Sequence, residues 1–91
     1  MIRFKVGRKI KGYVIEDGGK YKFKTGKPSD VSCFSWEYDL IENAILLAHD
    51  YMRKLVQNGT YTMDGVPFRV VQGYRAEEVI EYMDGHIERR V

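Results

Sequence analysis

Apolar and polar residues alternate strictly over Ile2-Arg3-Phe4-Lys5-Val6. That period of two places Ile2, Phe4 and Val6 on one face of a strand and Arg3 and Lys5 on the other. The style continues over residues 9–15, with Ile10 and Val14 in phase across Gly12. Gly7 and Gly12 mark a bend or bulge, since glycine weakens a strand and permits close backbone approach. Asp17-Gly18-Gly19 predicts a tight turn. Lys20-Tyr21-Lys22-Phe23-Lys24-Thr25 then alternates again, with Tyr21, Phe23 and Thr25 on one face and three lysines on the other. Strands 9–15 and 20–25 are expected to form an antiparallel hairpin, with strand 2–6 beside it. Residues 26–30 read as a loop, and 31–36 fits a short strand or an irregular lead-in.

The pattern then changes period. Leu40, Ile41, Ala44, Ile45, Ala48, Tyr51, Met52, Leu55 and Val56 recur at spacings of three and four, the stripe of an amphipathic helix. Asp39 and Glu42 have capping-box spacing, with Ser35 a competing start. Asn58-Gly59 suits a helix stop. Residues 60–71 predict a second hairpin around Asp64-Gly65, with Pro67 confining its strand to an edge. Residues 76–83 predict a short helix with Val79, Ile80 and Met83 inward and Glu77, Glu78 and Glu81 outward, stopped at Gly85. Residues 86–91 are expected to form a short strand or a frayed tail. The expected fold is α+β, in the order β-β-β-α-β-β-α: a mostly antiparallel sheet, one long amphipathic helix packed on it, and a short second helix.

At 91 residues, with 44% hydrophobic and 13% aromatic content, the chain fits one globular domain spanning 1–91. The lone cysteine, Cys33, excludes an intramolecular disulfide and every zinc pattern needing two thiolates. A single thiol suits a reducing interior. No unbroken apolar stretch opens the chain, and the longest apolar run is Ala44-Ile45-Leu46-Leu47-Ala48. A soluble, cytoplasmic protein with no membrane contact is expected.

The formal net charge of +2 conceals an asymmetry. Residues 1–27 carry nine basic residues against two acidic ones, a balance of +7. Residues 28–91 carry the other six basic residues against eleven acidic ones, a balance of −5. The strand period gathers Arg3, Lys5, Lys9, Lys11, Lys20, Lys22 and Lys24 on the sheet face opposite the helix, with Tyr13 in phase among them. Seven cations at strand spacings of about 4.8 Å favour a bound polyanion, and Tyr13 offers a stacking ring. Lysine attracts phosphate but reads bases poorly, so steep salt dependence and weak sequence specificity are expected. The competing reading is a solvated face whose lysines discourage edge aggregation. A three-stranded sheet followed by a helix, with basic residues on the open face, resembles the AP2-type and integrase arm-binding domains. The resemblance covers residues 2–58 and rests on pattern alone, so no residue roles follow from it. The gap between Lys24 and the helix is longer than in that family, and the second hairpin and helix are additional.

Phe34, Trp36 and Tyr38 form the other candidate surface. They read either as an aromatic contact patch for a protein partner or as the closure of the core where the chain enters the helix. Cys33 has no base nearby in sequence and reads as a buried or inert thiol. His49 lies off the helix stripe and is expected to be exposed. With His49 and His86 the only histidines, no histidine-rich metal site can form, and no metal or cofactor is expected. Glu77, Glu78, Glu81 and Asp84 read as the wet face of the second helix. Glycine-rich phosphate loops, nucleophile elbows and zinc-protease motifs do not occur. The expected function is a small non-catalytic nucleic-acid-binding module, of regulator or mobile-element accessory type. The alternative is a phage-type adaptor or inhibitor that binds an acidic or apolar protein surface, and a homodimer is a third arrangement.

Overall fold

The computed structural model describes residues 1–57, 60–63, 66–69 and 73–90, with only the backbone considered at 57, 60–63 and 66–69. In chain order the elements are β1 (Ile2–Val6), β2 (Lys9–Asp17), β3 (Lys20–Lys24), α1 (Ile41–Gln57), β4 (Thr60–Met63), β5 (Val66–Arg69), β6 (Arg75–Glu81) and β7 (Ile87–Arg89). β3, β2, β1, β6 and β7 form one antiparallel sheet in that spatial order, and β4 and β5 form a two-stranded sheet. The class is α+β, as the periodicity implies. The β2–β3 turn is the expected one, with Gly18 and Gly19 both at positive φ, which glycine reaches without strain. Pro67 stands opposite Thr62 in β5, an edge strand of the two-stranded sheet among the described residues. Asn58-Gly59 and Asp64-Gly65 lie outside the described residues.

The segment expected to be a second helix is instead strand β6. A helix of eight residues holds few internal hydrogen bonds and is marginal alone. As a strand, the segment satisfies the open edge of β1 through the pairs Ile2↔Glu78, Arg3↔Glu77, Phe4↔Ala76 and Lys5↔Arg75. Gly85 then serves the β6–β7 turn, where its N–H donates to Tyr82 O at 2.9 Å. The tail pairs as β7, through Val79↔Arg89, Ile80↔Glu88 and Glu81↔Ile87.

Register decides what each face of the sheet holds. Ile2, Val14 and Phe23 align across β1, β2 and β3, and Phe4 stands opposite Gly12. α1 covers this face. Phe4, Phe23, Val14, Ala44, Ala48 and Met52 are buried together, and the Phe4 and Phe23 rings meet edge to face at 5.9 Å. Alanine at 44 and 48 lets the helix backbone approach the two phenylalanine rings. Each large side chain buried here contributes about 1.5–3 kcal/mol. Leu40 and Ile41, expected on the apolar stripe, remain exposed where the helix begins. Asp39 does not cap α1 in the expected box, since its carboxylate faces the Lys20 ammonium.

A bulge interrupts the β1–β2 pairing. Phe4 pairs with Gly12 but Lys5 pairs with Ile10 and Val6 with Lys9, so Lys11 has no partner. Ile10 therefore leaves the phase of Val14 and is 45% exposed. Gly12 stands at this bulge because a Cβ there would lie 2.5 Å from Phe23 Cζ and 2.7 Å from the Lys24 carbonyl oxygen. Gly12→Ala is expected to lower unfolding free energy in urea by about 1–3 kcal/mol, the usual cost of overpacking. Gly73→Ala, where a Cβ meets open space, is expected to stay within about 0.5 kcal/mol of wild type.

Candidate functional site

The sheet face opposite α1 carries most of the expected cations, but each in a particular setting. Arg3, Tyr13 and Lys24 share one cross-strand row, Ile15 and Lys22 the next, and Asp17 and Lys20 the last. The bulge removes Lys9 and Lys11 from these rows, a correction to the simple period-of-two reading. Tyr13 is 5% exposed and packs with Ile15 and Val79 in a second small core, bordered by Met1 and Ile87. Its ring is therefore not presented for stacking. Burial pushes the Tyr13 hydroxyl pKa up, with the neighbouring Arg3 opposing the shift.

Four of the expected cations are matched from within the chain. The Arg3 guanidinium donates to the Glu77 carboxylate through Nε at 2.8 Å and through Nη2. Lys20 donates to Asp39. Lys22 donates to Asp17 at 3.1 Å and lies 3.8 Å from Glu37. Hydrogen bonding to Asp39 and Asp17, respectively, raises the pKa values of Lys20 and Lys22. Lys24 is buried, and its ammonium donates to the carbonyls of Pro28, at 3.2 Å, and Asp30. The loop after β3 is folded for this: Asp30 N–H donates to Lys27 O at 3.0 Å and the Asp30 carboxylate accepts from Lys27 N–H at 2.9 Å. Between this loop and β6 runs an open groove of about 700 Å³. Ile15 and Val79 contribute to its lining, as do Lys22, Lys24, Asp30 and Glu81, so both signs of charge are present.

A second set of cations surrounds the β1–β2 turn. Lys5 is the last residue but one of β1 and Lys9 the first of β2, Arg8 is in the turn, and Lys11 is in the bulge. Arg75 stands opposite Lys5 on β6. Among the described residues none of these five makes an ion pair, whereas Arg3, Lys20 and Lys22 all do. Sequence reasoning missed Arg8 and Arg75. Arg8 lies between the alternating stretches 2–6 and 9–15, and Arg75 just before the stretch 76–83, so the strand period assigns neither to the basic face. The alternation signal in β6 is weak because each face mixes charged and apolar residues.

The aromatic segment runs along the outer edge of β3. Tyr21 and Tyr38 exchange backbone hydrogen bonds of 2.8 and 2.7 Å, and Ser35 N–H donates to Phe23 O at 3.2 Å. Ser35 Oγ accepts from Phe23 N–H at 2.8 Å. Phe34 meets Phe23 and Tyr51 edge-on at 5.7 and 4.9 Å, so it does close the core although it is 51% exposed. Trp36 does not close it and is 84% exposed. Cys33 is exposed rather than buried, because its segment runs along the outer edge of β3, and its Sγ donates to Ser35 O at 3.1 Å. His49, expected in solvent, is half-buried: its ring stands edge-on to Phe4 at 5.4 Å and Nδ1 lies 2.7 Å from Tyr74 Oη. Glu77, expected on a wet helix face, is the Arg3 partner.

No described helix is long and apolar enough to cross a membrane. Among the described residues no group of three His, Cys, Asp or Glu side chains is arranged to hold a metal ion.

The Arg3 guanidinium beside Glu77 holds that carboxyl below its ordinary value of 4.5. A depressed pKa supports the fold above the unfolded-state value and loses that support as pH falls through the folded-state value. Thermal midpoints measured between about pH 6 and pH 3 are expected to fall less steeply for Glu77→Gln than for wild type. Parallel profiles would refute the coupling. Compared with known protein families, with curated proteins and with solved structures, the chain gives no match.

Proposed function

We propose that this protein is a small non-catalytic module that binds nucleic acid through the basic end of its sheet. The reading rests on the sorting of its cations. Arg3, Lys20 and Lys22 are matched by carboxylates and Lys24 by carbonyls, while Lys5, Arg8, Lys9, Lys11 and Arg75 cluster at one end without ion pairs among the described residues. Side chains paired internally have little left to gain from phosphate. Unpaired cations brought close together repel one another, and a polyanion relieves that repulsion while releasing its own counterions. The binding surface so defined is smaller than the whole basic face and shifted toward the β1–β2 turn.

In retention assays on short DNA and RNA probes, binding is expected to fall steeply with salt and to vary little with sequence. Replacing Arg8, Lys9 and Lys11 together by Gln is expected to abolish retention at low salt. Replacing Lys20 and Lys22 by Gln is expected to leave it nearly intact. Loss in the second variant with retention in the first would reverse the assignment.

A protein–protein adaptor is the second reading, and the exposure of Trp36 favours it. Tryptophan is among the residue types that dominate interface energetics. Under this reading the wild-type protein shifts no nucleic-acid probe, and a stoichiometric protein partner is lost on Trp36→Ala.

A further inference from the structure

We infer that Lys5 and Arg75 form the two sides of a seat for a single phosphate group. The inference rests on the nucleic-acid reading and names the part of that surface which grips the backbone. Lys5 and Arg75 are direct cross-strand partners of β1 and β6. Like charges so placed destabilise a sheet pair, and the adjoining row shows the usual solution, Arg3 opposite Glu77 with hydrogen bonds between them. Lys5 and Arg75 have no such match among the described residues. Glu77 feels both cations, but its carboxylate is held by Arg3.

The space beside this pair suits an anion. A recess of about 240 Å³ is lined by Lys5, Gly7, Gly73, Tyr74 and Arg75. A Cβ at Gly7 or Gly73 would meet nothing within 4 Å, so the rim is open and its backbone is approachable. Tyr74 is fixed from behind, its hydroxyl 2.7 Å from His49 Nδ1 on α1. A phosphate oxygen between an ammonium and a guanidinium receives charge-assisted hydrogen bonds from both and converts a repulsive row into an attractive one.

The probe is inorganic phosphate, titrated into the intact chain at constant ionic strength and followed by backbone amide shifts. Saturable shifts are expected at Gly7, Gly73 and Arg75, with the midpoint weakened about tenfold or more in Lys5→Gln/Arg75→Gln and little changed in Lys20→Gln. Because the double variant removes a like-charge row, its melting temperature in phosphate-free buffer is expected to equal or exceed that of wild type. That result shows that the variant folds, and phosphate should then raise the wild-type value only. Shifts that follow ionic strength alone, or that persist unchanged in the double variant, overturn the seat. If nucleic acid is retained with the same salt slope by wild type and double variant, the seat fails while the broader reading stands. If phosphate saturates the site but no nucleic acid is retained, the nucleic-acid reading fails and the seat stands.

Discussion

The Phe23 ring fills the space that a side chain at position 12 would need. That single close approach organises much of the molecule. It brings β2 and β3 together beneath α1, with Phe4 across from Gly12 and against Phe23. The bulge at the same point advances β2 by one residue relative to β1. A one-residue slip in a strand exchanges its faces. Ile10 therefore joins the row of Lys5, and Lys9 and Lys11 are carried out of the rows held by Arg3, Lys22 and Lys24. A packing requirement in the core thus separates two groups of basic residues on the surface.

The second organising fact is that β1 is paired on both sides. β2 follows it directly in the chain, but β6 arrives from more than sixty residues later. This long-range pairing carries Glu77 to Arg3 and Arg75 to Lys5. Through it Glu77 of the acidic remainder meets Arg3 of the basic third, while Asp39 and Glu37 reach Lys20 and Lys22 from the segment before α1. The sheet face opposite the helix becomes a second small core around Tyr13, Ile15 and Val79 with ion pairs beside it. Among the described residues, Lys5, Arg8, Lys9, Lys11 and Arg75 around the β1–β2 turn make no ion pair.

Local patterning was legible where one face of an element met one environment. The strands 2–6, 9–15 and 20–25, the Gly18-Gly19 turn and the helix over 41–57 all follow from period and turn chemistry. The candidate residues Arg3, Lys5, Lys20, Lys22 and Lys24 do share a face, because strand geometry requires it. β6 was not legible. Ala76, Glu78 and Ile80 lie on one face and Arg75, Glu77, Val79 and Glu81 on the other, so neither face is uniformly apolar or polar. Likewise the aromatic cluster divides: Phe34 has Phe23 and Tyr51 to pack on, whereas Trp36 points to solvent from a segment pinned to the edge of β3.

By itself the sequence determined the α+β class, the helix and its buried stripe of Ala44, Ala48 and Met52, and the excess of cations in the first 27 residues. These depend on side-chain period and composition, which are local properties. Only the tertiary structure decided which cations find carboxylates, that Tyr13 is covered, and that Arg75 stands against Lys5. Those outcomes depend on register and on a pairing between distant segments, because the charge and burial of a residue are set by neighbours that the linear chain does not place beside it.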